Sequence, residues 1–315
     1  MKYSNIIYLA LSAALCAALL AGCSLSQMPL STEAPPDPVT LIDSLDRQVT
    51  LAAPPQRIVS LAASNTEILF AIGAGDLLVG RDEFSDYPTE ALNIASIGSL
   101  YPTVNAEICV ALEPDLVLAA GITNPDDVLA LSQLGLTVYA TSFASTLDDI
   151  YKDILDVGIL TGESATAQAV VNDMKSRVRG VENLTSKVIN RPSVFYEIDA
   201  TDPSKPWTSG TSSFIDLLIT TAGGVNVGAA SNEAYWQISL EELVHQDPQI
   251  IVLGSSKYGA QTPALVAARP GWGQISAVTT QNVHVFDDDL VSRPGPRLVQ
   301  GLEALAIIIH PELPQ

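Results

Sequence analysis

The sequence predicts an α/β protein built as two Rossmann-like lobes joined by one long bridging helix. Short apolar strands alternate with amphipathic helical stretches, a pattern that gives parallel sheets with helices on both faces. The alternation occurs in two series, and 315 residues suffice for two domains of ~150 residues each. Between the series, Ala167, Val170, Val171, Met174, Val178 and Val181 recur at helical spacing, with Asp173 and Arg177 placed outward as an i, i+4 pair.

The first 38 residues belong to neither series. Lys2 precedes an apolar run over 6–20 that is too short to span a bilayer comfortably, and small residues follow at Ala21 and Gly22. This reads as a signal peptide over 1–22. Leu20-Ala21-Gly22-Cys23 resembles a bacterial lipobox, which implies cleavage before Cys23 and acylation of its thiol and new amine. Residues 23–38, with Pro29, Pro35, Pro36 and Pro38, then form a tether.

The first lobe is expected over 39–162. Alternation around 43–47 suggests a hairpin, and Ile58, Val59 and Ser60 begin a buried strand. Ser64 with Glu67 has the spacing of a capping box, so a helix is expected from Thr66 to the glycines at 73 and 75. Strands follow at 77–80, 115–119 and 136–140, and helices at 108–112, 126–134 and 147–160. The bridging helix is placed at 163–185. The second lobe, 186–315, takes strands at 193–198, 250–253 and 283–286 and helices at 214–222 and 298–309.

Composition narrows the function. Hydrophobic residues make up 47% and charged residues 16%, which excludes disorder over most of the chain. A formal charge of −20 opposes the counterion release on which nucleic-acid binders rely. Removal of the signal would take away Lys2 and Cys16 and leave Cys109 as the only unmodified thiol, so stability must come from packing. No nucleophile elbow, phosphate loop, zincin helix or dinucleotide fingerprint occurs in its required context. His245, His284 and His310 lack metal-ligand spacing, and Asp287-Asp288-Asp289 lacks the glycine and glutamate of a calcium loop. Neither an enzyme nor a resident metal or cofactor is expected.

Several motifs carry a family resemblance. Arg57-Ile58-Val59-Ser60-Leu61 with Ser64-Asn65-Thr66-Glu67, then Ser85-Asp86-Tyr87-Pro88, Ala111-Leu112-Glu113-Pro114-Asp115-Leu116-Val117 and Ser292-Arg293-Pro294-Gly295-Pro296-Arg297 resemble the substrate-binding proteins of ABC importers for vitamin B12 and ferric siderophores. The resemblance runs from Val39 to the C-terminus. It implies a class III binding protein with its ligand in a cleft between the lobes, where loops after the strands of both face one another.

By motif position, Phe84, Tyr101, Trp207 and Tyr235 fall where the vitamin B12 binder has cleft aromatics, although Tyr101 replaces a tryptophan there. Flat rings suit a corrin, a broad apolar plate fringed with amides. Asp289 and Arg293 match a polar edge of the cleft, and Arg81 is a further candidate. Arg81 and Arg293 could instead meet the negative charge of a ferric siderophore, the alternative ligand together with haem. Glu107 and Glu241 occupy repeated contexts, each at a helix start before a proline and a buried strand. In the family such glutamates pair with arginines of the permease, one per lobe. The resemblance thus implies a monomeric, lipid-anchored extracytoplasmic protein that delivers a corrinoid to an ABC permease dimer with its ATPase.

Overall fold

The computed structural model describes residues 37–314. The chain opens with an antiparallel ribbon, β1 (Val39–Ile42) against β2 (Gln48–Leu51), in register Val39 to Leu51. Asp43 builds its turn: the carboxylate accepts from the Leu45 and Arg47 amides, both at 3.0 Å, and pairs with the Arg47 side chain. Arg47 in turn donates to the Val138 carbonyl at 3.0 Å, which fastens the ribbon to the first lobe.

That lobe runs β3 (Ile58–Ser60), α1 (Ala63–Ala71), β4 (Leu78–Arg81), α2 (Ala106–Ala111), β5 (Leu116–Ala119), α3 (Pro125–Gln133), β6 (Val138–Ala140) and α4 (Leu147–Thr161). Its strands form one parallel sheet in the order β4-β3-β5-β6. Every residue of β3, β5 and β6 is buried, which is why these strands read as continuous apolar runs: helices cover both faces.

The second lobe contains β7 (Ser193–Glu197), β8 (Trp207–Ser209), α6 (Phe214–Thr221), β9 (Val225–Asn226), β10 (Tyr235–Gln237), α7 (Leu240–Gln246) and β11 (Ile250–Leu253). It continues through α8 (Ser256–Gly259), α9 (Pro263–Ala267), α10 (Ser276–Thr279), β12 (Val283–Val285), α11 (Asp289–Ser292) and α12 (Leu298–Ile309). The parallel sheet is ordered β12-β11-β7-β9, while β8 and β10 pair antiparallel as a separate ribbon. The two sheets repeat one plan. In each, the first strand is central, the second lies on one side, and the third and fourth extend on the other.

One helix separates the series, α5, the 22-residue Ser164–Thr185. Its apolar stripe buries Val171, Met174 and Val178 in a core cluster that also holds Ile150, Ile154 and Leu160 of α4 and Leu218, Leu302 and Leu305 of the second lobe. Each such side chain contributes ~1.5–3 kcal/mol relative to exposure, so the helix is held by both lobes at once. Arg177 adds a forked pair to Glu303 of α12, at 2.9 and 2.6 Å. Helix α4 approaches the bridge closely at Gly158, where a Cβ would collide with the Ala167 side chain.

The capping box expected at Ser64 and Glu67 is not formed. Helix α1 begins at Ala63 with no side-chain cap, so both residues lie inside the helix and are buried. Tertiary contacts have claimed their neighbours: Asn65 donates to the Ala119 carbonyl at 2.8 Å, and Thr66 bonds Ser60 and Ser85 at 2.9 and 2.8 Å. Glu67 reaches arginines of the second lobe.

The second sheet carries a buried ion pair at the end of β7. Glu197 accepts from both guanidinium arms of Arg269, one at 2.9 Å, and from the Ser255 hydroxyl at 2.8 Å, while Arg269 stacks over Trp272. Glu197→Ala leaves a guanidinium buried without its counter-charge. We expect a destabilisation of ~3–5 kcal/mol by urea unfolding, whereas a loss below ~1 kcal/mol would show the pair to be dispensable.

Candidate functional site

The loops that leave the carboxyl ends of β4 and β5 surround a cavity of about 610 Å³. From the first lobe come Asp82, Phe84, Leu100, Tyr101, Pro102 and Ile122, and from the second Asp289, Ser292 and Arg293. Phe84, Tyr101 and Ile122 are 54%, 89% and 69% exposed, a concentration of solvent-facing apolar surface that marks a binding site. A chamber of about 160 Å³ adjoins it and shares Ala63, Ile122, Ser292 and Arg293, and its further walls include Phe143 and Tyr235.

Two of the cavity-lining residues, Asp289 and Arg293, belong to an ion cluster between the lobes. Glu67 of α1 receives Arg297 at 2.6 and 2.8 Å and Arg293 at 3.3 Å. Arg293 also reaches Asp86 at 2.7 Å and Asp289 at 3.0 Å. Lys257 pairs with Asp289 and, at 3.5 Å, with Asp86. Three cations thus meet three carboxylates. Burial works against the Arg293 charge, yet its hydrogen bond to Asp86 and the surrounding Asp289, Asp86 and Glu67 hold its pKa above the ordinary arginine value. Asp82, beside the cluster, has its carboxyl pushed upward by burial even though Ser85 and the Phe84 amide donate to it.

The residues expected from sequence are distributed unevenly over this site. Phe84, Tyr101, Asp289 and Arg293 line the main cavity, and Tyr235 lines the side chamber. Trp207 stands opposite Gln237 on the β8–β10 ribbon, so it shares a face with Tyr235 two residues along, and it is 40% exposed. Arg81 is a correction. It is buried, lines neither chamber, and donates to the carbonyls of Ala91 and Asp82 at 2.9 and 3.0 Å, which turns its charge into the wall of the first lobe. Arg293 faces the cavity and is matched by Glu67, Asp86 and Asp289. Cys23, the signal peptide and nearly all of the tether lie outside the described residues.

Among the contributors that escaped the sequence reading are Ile122, Phe143 and Lys257. Ile122 and Phe143 each sit three residues beyond the end of a parallel strand, so the rule that ligands bind outside the carboxyl ends of strands points to both. Lys257 carried no such signal, because its role depends on carboxylates far away in sequence.

Glu107 and Glu241 occupy equivalent places. Each is exposed and is the second residue of the helix before the third strand of its sheet. The preceding residue caps the helix in both: Asn105 accepts from the Ile108 amide at 3.2 Å, and Ser239 from the Glu242 amide at 3.1 Å. Each helix ends near a left-handed residue before a proline, Glu113 at φ 46° and Asp247 at φ 44°. Among the described residues, no helix is long and apolar enough to cross a membrane.

Comparison with known proteins agrees with this geometry. The family model described as periplasmic binding protein matches residues 58–290. An ABC transporter substrate-binding lipoprotein of Bacillus subtilis, YvrC, is 35% identical over 282 residues, covering 87% of this chain and 86% of that one. A cobalamin-binding protein of Halobacterium salinarum is 32% identical over 279 residues, covering 87% and 74%. The crystal structure of the periplasmic vitamin B12-binding protein BtuF of Vibrio cholerae superposes with a TM-score of 0.69 at 29% identity, covering 81% of this chain and 97% of that one. Periplasmic haem-binding proteins share the fold as well. The chain therefore belongs to the periplasmic binding protein family, as a non-enzymatic solute-binding component of an ABC transporter whose relatives handle vitamin B12, siderophores or haem.

Proposed function

We propose that this protein captures a corrinoid in the cleft between its lobes and delivers it to an ABC importer permease. The observation that carries the reading is the combination of exposed apolar side chains with paired cations. Phe84, Tyr101, Leu100, Pro102 and Ile122 offer a broad apolar surface, while Arg293 and Lys257 are each engaged by acids. A catecholate siderophore or the propionates of haem would have to draw those cations away from their carboxylates. A corrin presents an apolar plate edged with amides and asks for no such exchange. Relatives named as cobalamin- and vitamin B12-binding proteins support the same cargo.

Delivery is assigned to Glu107 and Glu241. Both carboxylates are exposed at helix starts, one per lobe, and each can form charge-assisted bonds to arginines on one permease subunit. Anchoring is assigned to Cys23, where the lipobox resemblance and the YvrC lipoprotein point the same way.

Tyr101→Ala and Trp207→Ala should each weaken cobinamide binding by roughly 1–3 kcal/mol in calorimetric titration. Tight binding of a ferric siderophore or haem without corrinoid binding would reverse the assignment of cargo. The double variant Glu107→Ala/Glu241→Ala should keep its ligand affinity and lose transport in vesicles carrying the cognate permease, since a desolvated interfacial pair is worth ~2–5 kcal/mol. Normal transport would refute docking, and lost ligand affinity would place these residues at the wrong surface. Cys23→Ser should move the protein from the membrane fraction to the soluble one, and unchanged retention would exclude the lipid anchor.

A further inference from the structure

The side chamber has a construction that the main cavity does not explain. Its aromatic walls come from different lobes, Phe143 after β6 and Tyr235 at the start of β10. Phe143 is 60% exposed, yet the backbone that carries it is fixed from several directions. The Ser142 amide and hydroxyl both donate to Asp153, at 3.1 and 2.6 Å, and the Thr141 hydroxyl donates to Asn65 at 3.1 Å. Gly121 packs so tightly beneath Phe143 that a Cβ there would collide with the phenylalanine backbone. An exposed ring on an immobilised backbone is a prepared contact surface, because the loop that carries it need not be ordered on binding.

The chemistry of the chamber selects its occupant. Its charged side chain, Arg293, is already matched by Glu67, Asp86 and Asp289, and the Ser142 hydroxyl is engaged by Asp153. The Ser292 hydroxyl donates to the Asp288 carbonyl, and apart from the hydroxyls of Ser64 and Tyr235 the remaining side chains are apolar, so the group that fits is planar, largely apolar and uncharged. At about 160 Å³ the chamber is too small for a macrocycle and suits one flat ring system. It opens to the main cavity through Ile122 and Arg293, which line both.

Resting on the corrinoid reading, we propose that the side chamber between Phe143 and Tyr235 receives the aromatic base of a complete corrinoid's nucleotide loop, and so distinguishes complete from incomplete corrinoids. The macrocycle occupies the main cavity, and its amide fringe offers nothing flat and apolar for the chamber. The nucleotide base is the one appended group that does.

The test compares cobalamin with cobinamide, which lacks the base, on the same variants by calorimetry. Wild type is expected to bind cobalamin about tenfold or more tightly than cobinamide, the scale of stacking one base on aromatic side chains. Phe143→Ala should remove most of that difference by weakening cobalamin alone, with cobinamide affinity serving as the control for an intact fold. Phe143→Trp, which fills the chamber, should also weaken cobalamin selectively. Equal effects of Phe143→Ala on both ligands, or none on either, would overturn the chamber assignment while leaving the corrinoid reading in place. A wild type that binds neither compound would refute the corrinoid reading, and the chamber assignment with it.

Discussion

Glu67 between Arg293 and Arg297 is the contact on which the rest of the site depends. The acid comes from the first helix of the first lobe and the arginines from the last segment of the second, more than 200 residues later, as the 226- and 230-residue separations show. All three are buried. Removing one partner of such a pair leaves an uncompensated charge, which makes the joint expensive to break even where its net contribution to stability is modest. Of its three members Arg293 lines the ligand cavity, and its charge is already matched there by Glu67, Asp86 and Asp289.

The same joint divides front from back. Arg293 lines the ligand cavity, whereas Arg297, four residues later, stacks its guanidinium 3.8 Å from the centre of the Tyr87 ring and lines a rear pocket with Val170 and Met174 of the bridging helix. The ion cluster therefore borders the ligand cavity on one side and the pocket against the bridging helix on the other. With the helix packed into a core shared by both lobes, the distance between Glu107 and Glu241 is governed by the same contacts that shape the cleft. A permease reading both carboxylates would thereby read the cleft.

Much of this architecture is legible in the sequence because it rests on local periodicity. The runs Leu116–Ala119 and Ile250–Leu253 read as buried strands because both faces are covered, and the stripe from Ala167 to Val181 reads as a helix because one side of it is buried. The failures have one physical cause, which is competition from distant partners. Ser64 and Glu67 have the spacing of a cap, but the Glu67 carboxylate gains two arginines inside the protein and only a backbone amide at a helix end. Arg81 and Arg293 look alike in sequence, and only the fold shows that one feeds backbone carbonyls while the other reaches the cleft. Phe84 and Tyr101 sit on loops that follow β4, whose position follows from strand direction, whereas Tyr235 opens β10.

The ion cluster is also graded in strength, and this bears on how a cleft can be both tight and reversible. Glu67 and its arginines are shielded from solvent, while Asp86 and Lys257 are 38% and 37% exposed in their side chains. The Arg293 contact with Asp86, together with the ordering of nearby charges, holds the Asp86 carboxyl below its usual pKa against the upward push of burial. An exposed pair such as Lys257 with Asp86 contributes only ~0–1 kcal/mol and is weakened by salt, whereas the buried joint is screened far less. Separation of the lobes therefore costs least on the Asp86 side and most at Glu67. A structure graded in this way yields at its solvent-exposed contacts before its buried pairs.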